Sequence, residues 1–224
     1  MTDSTVAGEP AIRARTLAVR GPHGPVYGPV DLDVDQPGVT VLVCPPGLAS
    51  AALLLTLAGR MRPTSGQLTV FGKTRAADIF ARSAVAGIDD VDDLDEDVTV
   101  GDVLAEQLRW NSPWYRMIRR AGKADRDRVL GPVFGALPLP GLDQYVDGLS
   151  ELENLLLRIA LANTARPPLL VVGTLEQVAD NSQRDLLVER LVELGETQTV
   201  VAASVNGVPG QLVVHRHLDR EAGV

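Results

Sequence analysis

The residues that could bind a ligand lie in a tight loop between an apolar run and a helical segment. Val39–Cys44 is continuously apolar, Pro45-Pro46-Gly47 interrupts the run, and Ala49–Arg60 has the pattern of an apolar helix that ends at Gly59. A strand that enters a helix through such a loop directs backbone N–H groups and the positive end of the helix dipole to one place, which suits a phosphate. The pattern predicts a phosphate-binding loop at residues 44–52.

Other residue types that bind metals or attack substrates lack the neighbours they need. Seven of the nine residues Asp89–Asp97 are acidic, but a calcium loop also needs a glycine after alternating ligands, so we predict a solvated acidic loop. His215 and His217 would share one face of a strand, yet two ligands without a third favour exposed histidines. The single cysteine, Cys44, is predicted to pack as a small buried residue rather than to react.

The elements that must position the loop alternate between strands and helices. Unbroken apolar runs predict strands buried on both faces of a parallel sheet, and alternating runs predict strands at its edge. The predicted strands are Ala11–Val19, Val30–Val34, Val39–Cys44, Gln67–Phe71, Leu169–Val172, Thr199–Ala203 and Gln211–His215. Gly21–Pro29 is predicted as a turn region, Ser150–Ala165 and Asn181–Leu194 as helices, and residues 98–149 as mainly helical. This order indicates a parallel α/β core with a helical insertion.

Composition excludes several classes of protein. The 224 residues are 45% apolar, which suffices for one domain with a sizeable core, and the net charge of −8 argues against a nucleic-acid partner. One cysteine excludes an internal disulfide. No apolar run reaches the ~18 residues of a membrane span, and the N-terminal residues lack a signal pattern, so we expect a cytoplasmic protein.

The segment Arg62–Gly72 closely resembles the one that follows the phosphate loop in ATP-binding-cassette (ABC) nucleotide-binding domains. Further landmarks of that family follow in order: Val98–Val100 resembles the start of its helical subdomain, Leu149-Ser150 its signature motif, Ala165–Val172 its Walker B strand, and Thr199–Ala203 the strand before its switch histidine. The resemblance implies one P-loop NTPase-like domain over residues 1–224, with an antiparallel N-terminal β edge. Its core would comprise about residues 11–97 and 166–218, with a helical subdomain at about 98–165 and with Val39–Cys44 and Leu169–Val172 as central neighbouring strands.

The residues that carry chemistry in this family differ here. A Walker A loop needs glycines for close approach to phosphate, a lysine for charge and a hydroxyl for magnesium. The aligned residues are Cys44, Pro45, Pro46, Gly47, Leu48, Ala49, Ser50 and Ala51, followed by Ala52. Ser50 thus stands at the lysine position and Ala51 at the hydroxyl position, while Cys44 and Ala49 replace the two glycines. The resemblance therefore implies a vestigial loop.

The other motif positions also depart from the family. The signature motif reads Leu149, Ser150, Glu151, Leu152, Glu153, with two carboxylates that would repel a triphosphate. The Walker B carboxylate positions hold Gly173 and Thr174. The lid-glutamine, switch-histidine and adenine-stacking positions hold Asp90, Val205 and Gly21. Ser150 and Asp180 remain as polar anchors, or as ordinary helix caps. We therefore predict no catalytic residue and no metal site, with ATP and magnesium bound only weakly.

One segment is basic and aromatic within an acidic chain. Arg109–Arg128 has a net charge of +5, from seven basic and two acidic residues. Its predicted partner surface comprises residue types enriched at interface hot spots: Arg109, Trp110, Trp114, Tyr115, Arg116, Arg119 and Arg120. The alternative is a small aromatic core surrounded by solvated arginines. The resemblance places this segment on the side that meets a transmembrane partner.

These features predict a non-hydrolysing ABC-type subunit or regulator beside a membrane transport complex. Its partners would be a transmembrane permease and a second, intact nucleotide-binding subunit, at the inner face of the membrane. Two alternatives stay open: an active ATPase subunit with unusual ligands, and a soluble adaptor that uses the fold without a transporter.

Overall fold

The computed structural model describes residues 9–110, 120–208 and 213–217. A three-stranded antiparallel sheet has the order β2-β1-β4 and comprises β1 (Ile12–Gly21), β2 (Gly24–Val34) and β4 (Ser65–Val70). A five-stranded parallel sheet has the order β5-β6-β7-β3-β8. Its strands are β3 (Gly38–Val43), β5 (Ser83–Ala86), β6 (Leu169–Thr174), β7 (Thr199–Ser204) and β8 (Val213–His217). The predicted fold class, a parallel α/β core with an antiparallel edge, is confirmed.

The expected adjacency of the two central strands is wrong. Strand β7 lies between β3 and β6, and its Val200 pairs with Val39 on one side and with Leu170 on the other. An unbroken apolar run indicates that a strand is buried on both faces, but all three strands share that property. The pattern therefore identifies the central strands without giving their order.

Six α-helices are present among the described residues: α1 (Leu48–Leu57), α2 (Ala76–Phe80), α3 (Val100–Trp110), α4 (Lys123–Phe134), α5 (Glu151–Ala162) and α6 (Asn181–Gly195). Within the described ranges, none of them is long and apolar enough to cross a membrane. Helix α1 and the antiparallel sheet pack in one core cluster, while α3, α4, α5 and α6 pack in the other. Side chains of the central strands alternate between the two clusters, which explains their unbroken apolar runs.

Two local expectations differ from the structure. The region 21–29 is not a long turn, because β1 runs to Gly21 and β2 starts at Gly24, where a positive φ of 122° suits glycine. Helix α2 and strand β5 were not predicted, because elements of five and four residues are too short to show a period. The division at about residues 98 and 165 stays a prediction, since one core cluster includes residues from both sides of it.

Candidate functional site

The predicted phosphate loop lies at the carboxyl end of β3. The backbone N–H of Cys44 donates to the carbonyl oxygen of Ser204 at 3.0 Å, which holds the start of the loop beside β7. Helix α1 begins at Leu48, so the loop proper is residues 44–47, and residues 48–52 form the first helical turn. Gly47 has a φ of 119°, a conformation that favours glycine. The strand–loop–helix path is therefore present.

The side chains of this loop offer little to a phosphate. Ser50, which the resemblance aligns with the Walker A lysine, is buried and donates its hydroxyl hydrogen to the carbonyl oxygen of Gly47 at 2.8 Å. Leu48 exposes 76% of its surface at the start of the helix. Pro45 and Pro46 have no backbone N–H to donate. Burial raises the pKa of the half-buried Cys44 thiol, and the nearby Glu176 carboxylate raises it further, which disfavours a reactive thiolate.

A glutamate that the motif alignment missed lies close to this edge of the sheet. Glu176 accepts hydrogen bonds from the Ser204 hydroxyl at 2.7 Å and the Val205 N–H at 2.9 Å, and also from the Thr174 hydroxyl. Burial acts to raise the pKa of Glu176, but these hydrogen bonds outweigh it and hold the pKa below its ordinary value. Its position, two residues after the Walker B pair, was the available sequence signal. Both of its carboxylate oxygens accept hydrogen bonds from groups of the chain itself.

The two residues that the resemblance aligns with the Walker B carboxylates, Gly173 and Thr174, lie at the end of β6. Gly173 is buried at the end of β6, and a Cβ atom built there would lie 1.6 Å from the carbonyl oxygen of Gly87. Thr174 is half-buried and directs its hydroxyl to Glu176. Among the residues that the structure describes, no group of three or more histidine, cysteine or acidic side chains could hold a metal ion. His215 is not exposed as expected: it is half-buried and its Nε2 accepts from the Val208 N–H at 3.0 Å.

The residues that the resemblance aligns with the signature motif lie at the start of α5. Ser150 caps the helix: its backbone N–H and its hydroxyl both donate to the Glu153 carboxylate, at 2.9 and 2.8 Å. Glu151 accepts from the Ala179 N–H at 2.7 Å, while Leu152 is buried and Leu149 half-buried. Asp180 caps α6 by accepting from the Gln183 N–H at 2.9 Å. Both polar anchors of the resemblance are therefore helix caps in this chain.

The acidic loop is not solvated throughout. Asp92 and Asp93 form ion pairs with Arg158 of α5, at 2.7 and 3.0 Å, and the Arg158 side chain exposes only 7% of its surface. Asp90, at the lid position, is exposed. Sequence reasoning missed Arg158, although a single charge in the apolar helical run Leu155–Leu161 was a signal for a buried pair.

The predicted partner surface is described in part. Trp110 exposes 81% of its surface at the end of α3, so the alternative of a small aromatic core does not hold for this residue. Arg109 and Arg120 are also exposed. Trp114, Tyr115, Arg116 and Arg119 lie outside the described residues. Trp110 lines a groove of about 440 Å³ together with Val91, Leu94, Glu106 and Arg158.

No protein-family profile matches the chain. In sequence it is similar to the cytochrome c biogenesis ATP-binding export protein CcmA of Cupriavidus pinatubonensis, with 34% identity over 105 residues, which are 46% of each chain. It is also similar to the phosphonates import ATP-binding protein PhnC of Bordetella parapertussis, with 27% identity over 202 residues, 85% of this chain and 75% of PhnC. The match to CcmA thus spans less than half of that protein.

Solved structures show the same architecture. An ABC transporter ATP-binding protein from Pyrococcus furiosus superposes with a TM-score of 0.70 at 17% identity, covering 92% of this chain and 96% of that one. The cbiO1 protein of Clostridium perfringens, part of the ABC transporter complex cbiONQ, superposes with a TM-score of 0.69 at 16% identity, covering 89% of this chain and 80% of that one. The chain therefore has the fold of an ABC-transporter ATP-binding domain.

Proposed function

We propose that this protein is an ABC-transporter ATP-binding subunit that does not hydrolyse ATP and acts as a structural or regulatory partner in a membrane transport complex. The fold and the similarity to CcmA and PhnC support the first part. One of those relatives is named as an export protein and the other as an import protein, so the direction of transport is not part of the proposal.

The observation that carries the second part is the state of Ser50. Phosphoryl transfer depends on positioned charge around the phosphates. At the lysine position this chain has a buried hydroxyl bonded to its own loop. Gly173 and Thr174 supply no carboxylate at the end of β6, and Glu176 is held by three internal donors. Among the described residues, these groups offer neither a cation for the phosphates nor a free base for water.

Without a lysine charge at the loop, we expect nucleotide to bind weakly. The loss of one charge-assisted contact costs roughly 1.5–3 kcal/mol, or about ten- to a hundredfold in affinity. Two prolines remove further donors, since neither has an N–H. We expect ATP to bind with a Kd well above ~10 μM, without dependence on magnesium.

The test is titration calorimetry and phosphate release on the purified full chain with Mg-ATP. Micromolar binding with turnover would overturn the proposal in favour of an atypical ATPase. A loop-restored variant, Cys44→Gly/Ala49→Gly/Ser50→Lys/Ala51→Ser, should bind ATP more tightly and still release no phosphate, because the carboxylates of β6 are absent. Ser65→Lys is the matched control, since it adds the same charge at an exposed position on β4.

The proposed partners are a permease and an intact second nucleotide-binding subunit at the inner face of the membrane. The exposed Trp110, the groove beside it and the net charge of the segment Arg109–Arg128 support this part. Affinity capture from detergent-solubilised membranes should recover an integral membrane protein. Recovery of soluble proteins alone would instead favour a soluble adaptor.

A further inference from the structure

A buried arginine links the cluster of helices α3, α4, α5 and α6 to the acidic loop Asp89–Asp97. Arg158, on α5, donates from Nε to Oδ2 of Asp92 at 3.1 Å and from Nη2 to Oδ1 at 2.7 Å, so one guanidinium binds both oxygens of one carboxylate. Asp93 adds a second ion pair at 3.0 Å. Paired, two-point contacts of this kind fix both position and orientation.

Asp92 and a further side chain, Gln177, bind the N–H and the carbonyl oxygen of Gly87, respectively. Asp92 accepts from the Gly87 N–H at 2.8 Å and from the Ile88 N–H at 2.9 Å. Gln177 accepts from Nη1 of Arg158 at 3.2 Å and donates to the carbonyl oxygen of Gly87 at 2.6 Å. A closed ring of hydrogen bonds therefore runs from Arg158 through Asp92, Gly87 and Gln177 back to Arg158.

This ring determines what can stand at position 173. With the Gly87 carbonyl in its observed place, a Cβ atom on Gly173 would lie 1.6 Å from that oxygen. No side chain fits at such a distance, so position 173 accepts only glycine while the loop stays there. Gly87 itself has a φ of 67°, which favours glycine at the turn.

We propose that Arg158, Asp92 and Gln177 form an internal clamp that holds the Gly87 carbonyl against Gly173 and keeps the first of the two Walker B carboxylate positions of the fold closed. The assignment of that position to Gly173 rests on the proposed function. The clamp needs no nucleotide, because every partner is a side chain or backbone group of the chain. Removing Arg158 leaves the partly buried Asp92 carboxylate without its guanidinium partner, which disfavours opening of the clamp.

A double-mutant cycle tests the clamp on the full chain. Gly173→Ala should lower the melting temperature by more than about 4 °C in the wild-type background, because the added Cβ meets a fixed carbonyl. In the Arg158→Met background the Gly87 loop is released, so Gly173→Ala should lower the melting temperature by roughly half as much or less. Gly148→Ala, at an exposed glycine with open space around its Cβ position, should cost the same in both backgrounds.

Amide hydrogen exchange reports the loop directly. Arg158→Met should speed exchange at the Gly87 and Ile88 amides by about tenfold or more, whereas Arg128→Met, which breaks an exposed pair with Asp125 on α4, should leave them unchanged. Asp92→Asn is measured in parallel, in case Arg158→Met does not fold. It keeps an acceptor oxygen, and it should also speed exchange at the Gly87 and Ile88 amides. Additive costs in the cycle together with unchanged exchange would overturn the clamp.

The clamp and the proposed function can fail separately. Mg-ATP turnover in a chain whose cycle still shows coupling would remove the proposed function and leave the clamp. If the chain did not turn over Mg-ATP, but the two substitutions had additive effects on the melting temperature and amide exchange was unchanged, the clamp would be removed and the proposed function would stand.

Discussion

Ser50 closes the first turn of its own helix by donating to the carbonyl oxygen of Gly47 at 2.8 Å. The N–H of Ala51 donates to the same carbonyl at 3.1 Å, so that oxygen is the acceptor for two groups of the turn. A serine bonded to the backbone in this way stabilises local structure and is not available to a ligand. Ser50, which the resemblance aligns with the Walker A lysine, is thus bonded within its own loop.

Ser50→Ala should lower the free energy of unfolding by about 1 kcal/mol, the usual net value of one hydrogen bond, because the Ser50 side chain is buried and its bond to the Gly47 carbonyl is partly buried. Urea denaturation measures this. Ser65→Ala is the control, since the Ser65 hydroxyl is exposed and has no hydrogen-bond partner among the described residues. Equal stability of the two variants would mean that the Ser50 bond contributes nothing.

The fold follows closely from the sequence where apolar runs are long. The run Val39–Cys44 corresponds to β3, and the amphipathic pattern Asn181–Leu194 corresponds to α6 within one residue. The place of β7 between β3 and β6 could not be predicted, because apolar runs carry no information on which parallel strands pair. Strand order depends on how crossovers pack, which is a property of the whole chain.

The candidate site divides in a similar way. The strand–loop–helix pattern located the loop at the end of β3, and a helix cap was the alternative to a polar anchor at Ser150, since both depend on local sequence. It did not locate the Asp92–Arg158 pair, whose members are 66 residues apart. Composition made the acidic run look uniformly solvated, and only the tertiary structure shows that one buried guanidinium binds two of its carboxylates.

Ser150→Ala should cost about 0.5–2 kcal/mol, because it removes the two hydrogen bonds of the Ser150 hydroxyl with Glu153 at the start of α5, while the backbone N–H keeps its bond to the Glu153 carboxylate. The measurement is the free energy of unfolding from denaturant titration. Glu153→Gln keeps a hydrogen-bonding side chain at the third helical position and should cost less. If Ser150→Ala were as stable as the wild-type chain, the cap would not be the role of this residue.

Glu176→Gln should change how stability depends on pH. Burial acts to raise the pKa of Glu176 while its hydrogen bonds lower it more, so the folded pKa lies below the ordinary value of 4.5. A lowered folded pKa stabilises the chain above the unfolded pKa, and that contribution is lost as the pH falls through the folded value.

The stability gap between wild type and Glu176→Gln should therefore be largest near neutral pH and close as the medium is made more acidic than about pH 4. Denaturant titrations at a series of pH values measure it. Glu189→Gln, at an exposed position on α6, serves as the control and should show no such gap. A gap that stays constant down to acid pH would contradict the assignment of an ionised Glu176.

Trp110→Ala tests the partner surface at its best-described residue. Because Trp110 exposes 81% of its surface, its loss should change the free energy of unfolding by less than about 0.5 kcal/mol. If the groove beside it receives a membrane partner, recovery of the chain with membranes should fall about tenfold, as expected for an aromatic anchor at an interface. Phe80→Ala removes another exposed aromatic, on α2 and away from the cluster of helices α3, α4, α5 and α6, and should leave recovery unchanged. Equal recovery of the two variants would exclude Trp110 from the interface.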